Sequence, residues 1–303
     1  MEAWQGMPSH ALHLRARRST AADWRREASD LVRGASGGFL LGVPLFYTME
    51  VWWIGSWVHP RWMLGALLLS LVVVVALNRT SGFRDTRATN WRDAAVDGVE
   101  MVVVGLLCAA AVLGILREIT LDTSLEEAMG KIVFEAIPFA FGAALARQFL
   151  PRGDHDEDAD DSPLDAPGGL AISQTLSDAG AAAVGAMVLC LPIAPTDEIP
   201  MIASAVTPPG LLLMAVASLL ISYAIVFEAD FADQEGRSRH EGPFQGPFAE
   251  TAGSYLISLV VSAAALLFLQ RMGPDQDWTT WLSYTVILGL PATIGGAAGR
   301  LAV

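Results

Sequence analysis

The sequence has little of the chemistry on which most enzymes and cofactor proteins depend. Its single lysine, Lys131, does not lie in the middle of a predicted helix, so no lysine is placed to hold retinal or pyridoxal as a Schiff base. Cys108 and Cys190 fall in apolar surroundings, where a structural disulfide would be unusual and metal-ligand spacing is absent. No HExxH motif, phosphate loop or GxSxG motif in a suitable context is present. These absences argue against an enzyme and against a bound cofactor.

Basic patches with interleaved aromatic residues are also missing, so the sequence indicates no nucleic-acid partner. Long apolar runs, by contrast, are abundant, and hydrophobic residues make up 53% of the chain. Several runs reach the ~20 residues that a helix needs to cross a bilayer. A soluble protein with a large core would show amphipathic helix faces, whereas residues 63–77 are apolar all round. We therefore predict an all-α polytopic membrane protein in contact with the lipid bilayer.

The arginines predict how the chain is oriented in the membrane. They crowd residues 1–34, before the first apolar run, and return in the loop over residues 79–92. By the positive-inside rule, both regions face the cytoplasm. Eight predicted spans, the first over about 35–58, then leave both termini in the cytoplasm. The net charge of -13 says little about substrate, because much of it lies in an acidic segment between helices.

The chain repeats itself at an offset of 148 residues, which becomes 153 after five extra residues in a loop of the second copy. Glu50 then meets Glu198, and Gly142 meets Gly295. Charged, proline and glycine residues that keep register are not expected by chance in apolar helices. We predict eight transmembrane helices in two tandem four-helix repeats of parallel orientation, related by a pseudo-two-fold axis along the membrane normal. The segments are a basic cytoplasmic N-terminus (1–34), the first repeat (35–150), an acidic cytoplasmic linker (151–169) and the second repeat (170–303).

Each repeat carries a carboxylate inside a membrane-length run, in the heptapeptides PLFYTME and PIAPTDE. An ionisable side chain near the bilayer centre costs roughly 2.5 to 3.5 kcal/mol on insertion scales, so Glu50 and Glu198 call for a functional hypothesis. If their helices line the axis, the two carboxylates face each other and share a proton or bind a cation. Thr48 and Thr196 would add hydroxyl ligands, a set that suits H⁺, Na⁺ or Ca²⁺. Alternatively, each Glu caps a kink or bonds a neighbouring helix.

The site requires broken helices. Thr48 and Glu50 lie about 200° apart on a straight helix of ~3.6 residues per turn, so they share a site only if the helix is interrupted. Prolines favour such interruptions because each removes a backbone hydrogen bond. Discontinuous helices with free carbonyls facing a cavity are a usual ion-site device in transporters. The candidate helix-breaking residues are Pro44, Pro192 and Pro195.

A second group of carboxylates marks the cytoplasmic side. Asp93, Asp97 and Glu100 lie at i, i+4 and i+7, on a single face at the start of the third predicted span, about residues 94–116. In the second repeat only Glu250 matches, opposite Asp97, so this pair is the better candidate for an inner gate. The alternative is structural, since carboxylates in the first turn of a helix interact favourably with the macrodipole.

One further carboxylate breaks the repeat. Glu135 stands one turn before Pro138, and its counterpart in the second repeat is Leu288. It either makes the pathway asymmetric or lies near the outer interface.

Two stretches, 42–53 (GVPLFYTMEVWW) and 195–201 (PTDEIPM), resemble a bacterial family of integral membrane proteins known as a domain of unknown function. The resemblance covers most of the chain after residue 34. It implies a bacterial inner-membrane location and brings no established activity or site residues. Calcium/cation exchangers also carry acidic residues in duplicated helices, but their halves are inverted and their glycine-rich acidic motifs are not found in this sequence.

These observations together predict a protein that conducts or exchanges a cation through a path at the pseudo-two-fold axis. The alternative is a non-transporting membrane scaffold or sensor whose paired carboxylates are structural. Runs of small residues at 142–146 and 295–299 indicate close contacts between the halves or between subunits, which leaves a homo-oligomer open. The ion, and the choice between channel and antiporter, also stay open.

Overall fold

The chain folds into α-helices, as its apolar runs predict. A computed structural model describes residues 21–80, 91–146, 170–229 and 247–301. Within these ranges there are ten α-helices and no β-strand. The acidic linker predicted over 151–169 lies outside the described residues. The helices are α1 (Ala21–Phe46), α2 (Met49–Trp57), α3 (Pro60–Thr80), α4 (Trp91–Ile115), α5 (Leu125–Ala144), α6 (Leu170–Ile193), α7 (Glu198–Ala205), α8 (Pro208–Ala229), α9 (Pro247–Phe268) and α10 (Trp278–Arg300).

Five of these helices, α3, α4, α8, α9 and α10, are long and apolar enough to cross a membrane. The count rises to seven if the bent pairs α1–α2 and α6–α7 are each one span. Helix α5 is not among the candidates, since Glu126, Glu127, Lys131 and Glu135 place four ionisable side chains within its 20 residues. The described residues therefore show five to seven candidate spans, where the sequence predicts eight.

Both halves contain a sharply broken helix. Helices α1 and α2 meet at 90°, and α6 and α7 meet at 89°. Pro44 lies near the end of α1 and Pro192 near the end of α6, while Pro195 lies in the second break. A proline in these positions lacks the N–H that would continue the helical ladder. The span predicted over 35–58 is therefore not one continuous helix: it contains the end of α1 and the perpendicular α2.

The first turn after α4 and the first turn after α9 have the same backbone. Arg117 has φ 63° and Gln270 has φ 57°, which are left-handed conformations 153 residues apart. In each case the next residue donates its backbone N–H to a carbonyl five residues back, that of Leu113 or Leu266. This pattern closes the orphan carbonyls at a helix C-terminus.

The starts of α5 and α10 also correspond. Ser124 and Asp277 are the N-cap residues, with φ and ψ of -62° and 147° and of -63° and 146°. The Ser124 hydroxyl accepts a hydrogen bond from the Glu127 N–H at 3.3 Å. The apolar run alone predicts this helix from about Lys131. The cap lets α5 begin six residues earlier, at Leu125, because it satisfies one of the first free N–H groups.

Glycines allow the closest helix contacts in each half. Helix α1 packs on α5 where Gly37 faces Gly142, and α6 packs on α10 where Gly185 faces Gly295. A Cβ atom added at any of the four would collide with backbone of the facing helix. Small residues at helix crossings permit backbone contact of this kind in membranes.

The two halves meet through a limited set of helices. In the first half α5 contacts α1, α2, α3 and α4, and in the second half α10 contacts α6, α7, α8 and α9. Across the halves, α1 packs against α8 and α10, and α4 packs against α8. One cluster of buried apolar side chains runs through both halves. The break between α1 and α2 therefore lies beside the second half.

Candidate functional site

Glu198 is the buried carboxylate at the contact between the halves. It is the first residue of α7 and is only 6% exposed. Its Oε1 accepts a hydrogen bond from the backbone N–H of Met49, the first residue of α2, at 3.3 Å. A helix N-terminus carries free N–H groups and the positive end of the helix dipole, so it favours a carboxylate. The second oxygen, Oε2, is buried and has no hydrogen-bond partner among the described residues.

Glu50, the predicted partner of Glu198, has a different environment. It lies in the first turn of α2 and is exposed. Glu198 instead approaches the backbone of α2 next to Glu50. The reason lies in the packing. A two-fold axis between the carboxylates requires the two broken helices to pack on each other, whereas α1 packs on α8 and α10 across the halves.

The two predicted threonine ligands occupy equivalent places in the breaks. The Thr48 hydroxyl donates to the Leu45 carbonyl at 2.7 Å, and the Thr196 hydroxyl donates to the Ile193 carbonyl at 2.6 Å. Each bond satisfies one carbonyl that the interrupted helix leaves free. Because each hydroxyl donates its proton, its oxygen keeps lone pairs that can accept a hydrogen bond or coordinate a cation.

The carboxylates that the sequence predicts on the cytoplasmic side are divided between the halves. Asp93 is exposed in the first turn of α4, Asp97 is buried and Glu100 is half-buried. Glu250, in the first turn of α9, forms an ion pair with Arg300 in the last turn of α10. Helix α4 packs on α1, α3, α5 and α8, whereas α9 packs on α6, α8 and α10, so α4 and α9 are not among the packed helix pairs.

Glu135 is the functional candidate that the predicted site omits. It lies midway along α5, is 1% exposed, and its Oε1 has no hydrogen-bond partner among the described residues. The indole of Trp52 lies beside this carboxyl group, and Trp52 is itself 1% exposed. The two do not reach hydrogen-bond geometry, since the indole nitrogen also lacks a partner. The sequence shows an acidic residue at this position, but the predicted site is built on carboxylates that recur in both repeats, and the matching residue is Leu288.

An open pocket of about 260 Å³ lies between α7 and α10. In the first half the corresponding space is closed, because Gly55 of α2 and Gly130 of α5 bring their backbones together. The pocket is lined by Pro200, Ala203, Ser204, Thr279, Thr280, Ser283 and Tyr284. Among the residues that the structure describes, no group of three or more His, Cys, Asp or Glu side chains is placed to hold a metal ion.

Five apolar helices of membrane-spanning length, together with two sharply bent helix pairs, define a multi-pass integral membrane protein. Residues 30–303 match the model of the family described as "Putative integral membrane protein (DUF2391)", so the chain belongs to that family. The match confirms the resemblance to a membrane-protein family that residues 42–53 and 195–201 indicate. No curated protein and no solved structure matches the chain.

Proposed function

We propose that the protein translocates a cation across the bacterial inner membrane, as a channel or secondary transporter, along a path that includes Glu198. The observation that carries this proposal is the buried Oε2 of Glu198, which has no hydrogen-bond partner among the described residues. A buried carboxylate oxygen without a partner is costly, and binding a proton or a cation removes that cost. Inside a membrane such groups mark ion pathways.

The proposal includes eight spans in two four-helix repeats, with both termini in the cytoplasm. Three pairs of features at the same offsets support equivalent halves: the helix breaks, the left-handed C-cap residues and the facing glycines. In this arrangement α5 crosses the membrane despite its charges. Lys131 is neutralised near the outer end of α5 by Glu127, whose Oε1 lies 3.0 Å from the lysine Nζ. Only Glu135 then remains in the central part of that helix.

Hard oxygen ligands suit H⁺, Na⁺ or Ca²⁺ as the cation. Glu198 supplies a carboxylate, and the Thr196 hydroxyl lies in the same break. Glu50 is retained as the equivalent ligand in the other break, where Thr48 holds the matching position. Glu135 adds a second buried carboxylate, in the first half alone.

The second candidate function is a non-transporting scaffold or sensor. The bond between Glu198 and the Met49 N–H favours it, because a carboxylate that caps a helix from the other half holds the halves together. The ion pair between Glu250 and Arg300 joins α9 to α10 within the second half, which is also a structural role for a carboxylate. In this alternative the carboxylates contribute stability and carry no ion.

Ion flux into proteoliposomes separates the two functions. H⁺, Na⁺, K⁺ and Ca²⁺ are tested in turn with wild type, Glu198→Gln and the double variant Glu50→Gln/Glu198→Gln. We expect flux of one cation, lost in both variants while the folded protein survives purification. Glu126→Gln is the matched control, since Glu126 is an exposed carboxylate on α5. We expect it to keep wild-type flux.

A second variant separates loss of flux from loss of folding. Glu135→Leu copies the residue at the matching place in the second half, and replacing a buried unpaired polar group with an apolar one stabilises the fold. We expect it to melt at a higher temperature than wild type and to reduce flux. Absence of flux for every ion in wild type, with Glu198→Gln only melting earlier, would sink the transport proposal and leave the scaffold.

A further inference from the structure

The contacts between the two halves are not reciprocal. Helices α1 and α4 of the first half meet α8 and α10 of the second. If the halves faced each other across a two-fold axis, the counterparts α6 and α9 would pack equally on α3 and α5. None of those reciprocal pairs is among the packed helices. The halves therefore associate head to tail, a heterologous contact that leaves one complementary surface free on each half.

The free surface on the second half lies on α6. Ser36 and Val43 of α1 are 1% and 0% exposed. Their counterparts Val184 and Leu191 are 64% and 38% exposed. A third pair follows the same trend, with Leu40 half-buried and Val188 exposed. The spacing i, i+4 and i+7 places these residues on one helix face, so α6 exposes the face that α1 buries.

The free surface on the first half lies on α3. Met214 and Ile221 of α8 are buried, whereas their counterparts Ala66 and Val73 are only half-buried. Between them, Leu69 is 66% exposed while its counterpart is half-buried. The spacing is i, i+3 and i+7, again one face. Helix α3 is thus less buried on the face that α8 buries.

The carboxylates carry the same asymmetry. Glu198 crosses the contact and accepts the N–H of Met49. The equivalent bond would join Glu50 to the backbone N–H of Asp197, and it is not formed within the chain, where Glu50 is exposed. Glu50 matches Glu198 in sequence position, but it is exposed and does not lie at a contact between halves. A second half placed against α2 and α3 would complete its site.

We propose that two copies of this chain form a ring of four halves, in which α6 of each copy docks on α3 of the other. The inference rests on the two-repeat arrangement proposed above. A head-to-tail contact whose axis runs along the membrane normal closes only as a ring of more than two halves, and the smallest whole number of chains that achieves this is two. In the ring, Glu50 of one copy accepts the Asp197 N–H of the other.

Lipid is the competing occupant of these faces, since apolar stripes alone are covered by acyl chains as well as by protein. Three observations favour a second copy. The stripes match, position by position, faces that are more buried on the equivalent helix of the other half, and Ala66 is small enough for close helix approach. Glu50 is also a polar group that acyl chains do not satisfy.

Cross-linking tests the geometry. In a background with Cys108→Ala and Cys190→Ala, chains carrying Glu50→Cys are co-expressed with chains carrying Asp197→Cys and treated with a short bifunctional thiol reagent. We expect a covalent dimer only when both chains are present. The pair Met49→Cys/Glu198→Cys in one chain is the positive control, because it links the halves without changing the mass. A failure of the mixed pair to react, with the control reacting, overturns the proposal.

The oligomeric state in nanodiscs tests the count. We expect the mass of two chains for wild type, falling to one chain for Val188→Trp and for Leu69→Trp. Leu107→Trp is the matched control, since Leu107 and its counterpart Val260 are 66% and 69% exposed and so lie at no contact in either half. A monomeric wild type, a trimer, or a dimer broken by the control alone would overturn the ring. Because flux is not measured, this result is separate from that of the transport experiment.

Discussion

Two glutamates of equal sequence context have unequal surroundings in this protein. Glu50 and Glu198 each lie in the first turn of a short helix that follows a sharp break, yet one is exposed and the other buried against the opposite half. Sequence periodicity reports which residues are equivalent along the chain, while burial depends on which surfaces meet. The functional emphasis therefore shifts from a symmetric pair to Glu198 with its buried oxygen, and to Glu135, which has no acidic counterpart.

A second cluster of charges lies where the loop between α4 and α5 meets the start of α5. The Lys131 ammonium is 3.0 Å from Glu127 Oε1 and 3.6 Å from Glu118 Oε2. Glu118 lies in the loop between α4 and α5, outside the helices. Burial raises the pKa of the Glu118 carboxyl above its usual value, and the nearby Lys131 offsets only part of that rise.

This raised pKa predicts a pH dependence of stability. Above the ordinary value of 4.5 and below its folded value, Glu118 binds more proton in the folded state than in the unfolded state. Its contribution is thus complete at low pH and is lost as the pH rises through the folded pKa. In Glu118→Gln we expect the loss of stability that Glu118 causes with rising pH to disappear. Thermal unfolding midpoints in detergent, taken from acidic to neutral pH, measure it.

Glu126→Gln is the control, because Glu126 is exposed in the first turn of α5 and should leave the wild-type slope unchanged. Identical slopes for wild type and Glu118→Gln would contradict the argument.

At the scale of elements, most helices could be predicted and the breaks in them partly so. Long apolar runs predict helices over about 61–78, 94–116, 210–227 and 248–271, and α3, α4, α8 and α9 match these bounds to within a few residues. Burial in lipid demands such runs whatever the helices pack against. The prolines predict interruption but carry no angle, and the 90° turn into α2 is visible only in the structure. The early start of α5 follows from the Ser124 cap, which periodicity does not register.

The facing glycines predict a strong effect of a single methyl group. Gly142→Ala and Gly295→Ala each place a Cβ against a backbone carbonyl of the facing helix, at Gly37 and Gly185 respectively. We expect each to lower stability by about 1–3 kcal/mol, the usual cost of overpacking a tight contact. Detergent unfolding midpoints measure the loss.

Gly65→Ala is the matched control within a helix. A Cβ at Gly65 of α3 meets nothing within 4 Å, so the substitution gains helix propensity without a clash. We expect no loss of stability there. Equal effects of the three alanine variants would show that the facing glycines are not packing constraints.

At the scale of the whole molecule, α5 decides the topology. If it crosses, as proposed, Asp122 and Asp275 lie on the outer side, and Arg92 and Asp178 on the cytoplasmic side. We expect cysteines at the first two positions, in a background lacking Cys108 and Cys190, to react with an impermeant maleimide in intact cells. Cysteines at Arg92 and Asp178 should react only after lysis.

Asp178 is the discriminating position. If α5 does not cross the membrane, the second half inserts with the opposite orientation, and the cysteine at Asp178 is labelled in intact cells. That result would replace eight spans by seven and would remove the parallel repeats on which the ring of four halves depends.

The sequence by itself determined the class of protein, the helical architecture and the positions at which two helices break. Each of these follows from properties read along the chain: the length of apolar runs, the spacing of prolines and the recurrence of residues at a fixed offset. Only the tertiary structure decided which glutamate is buried, that Glu135 lies beside Trp52, and which helices of the two halves pack together. The physical reason is that equivalence along a chain constrains local structure, whereas burial and hydrogen bonding are set by surfaces brought together from distant residues.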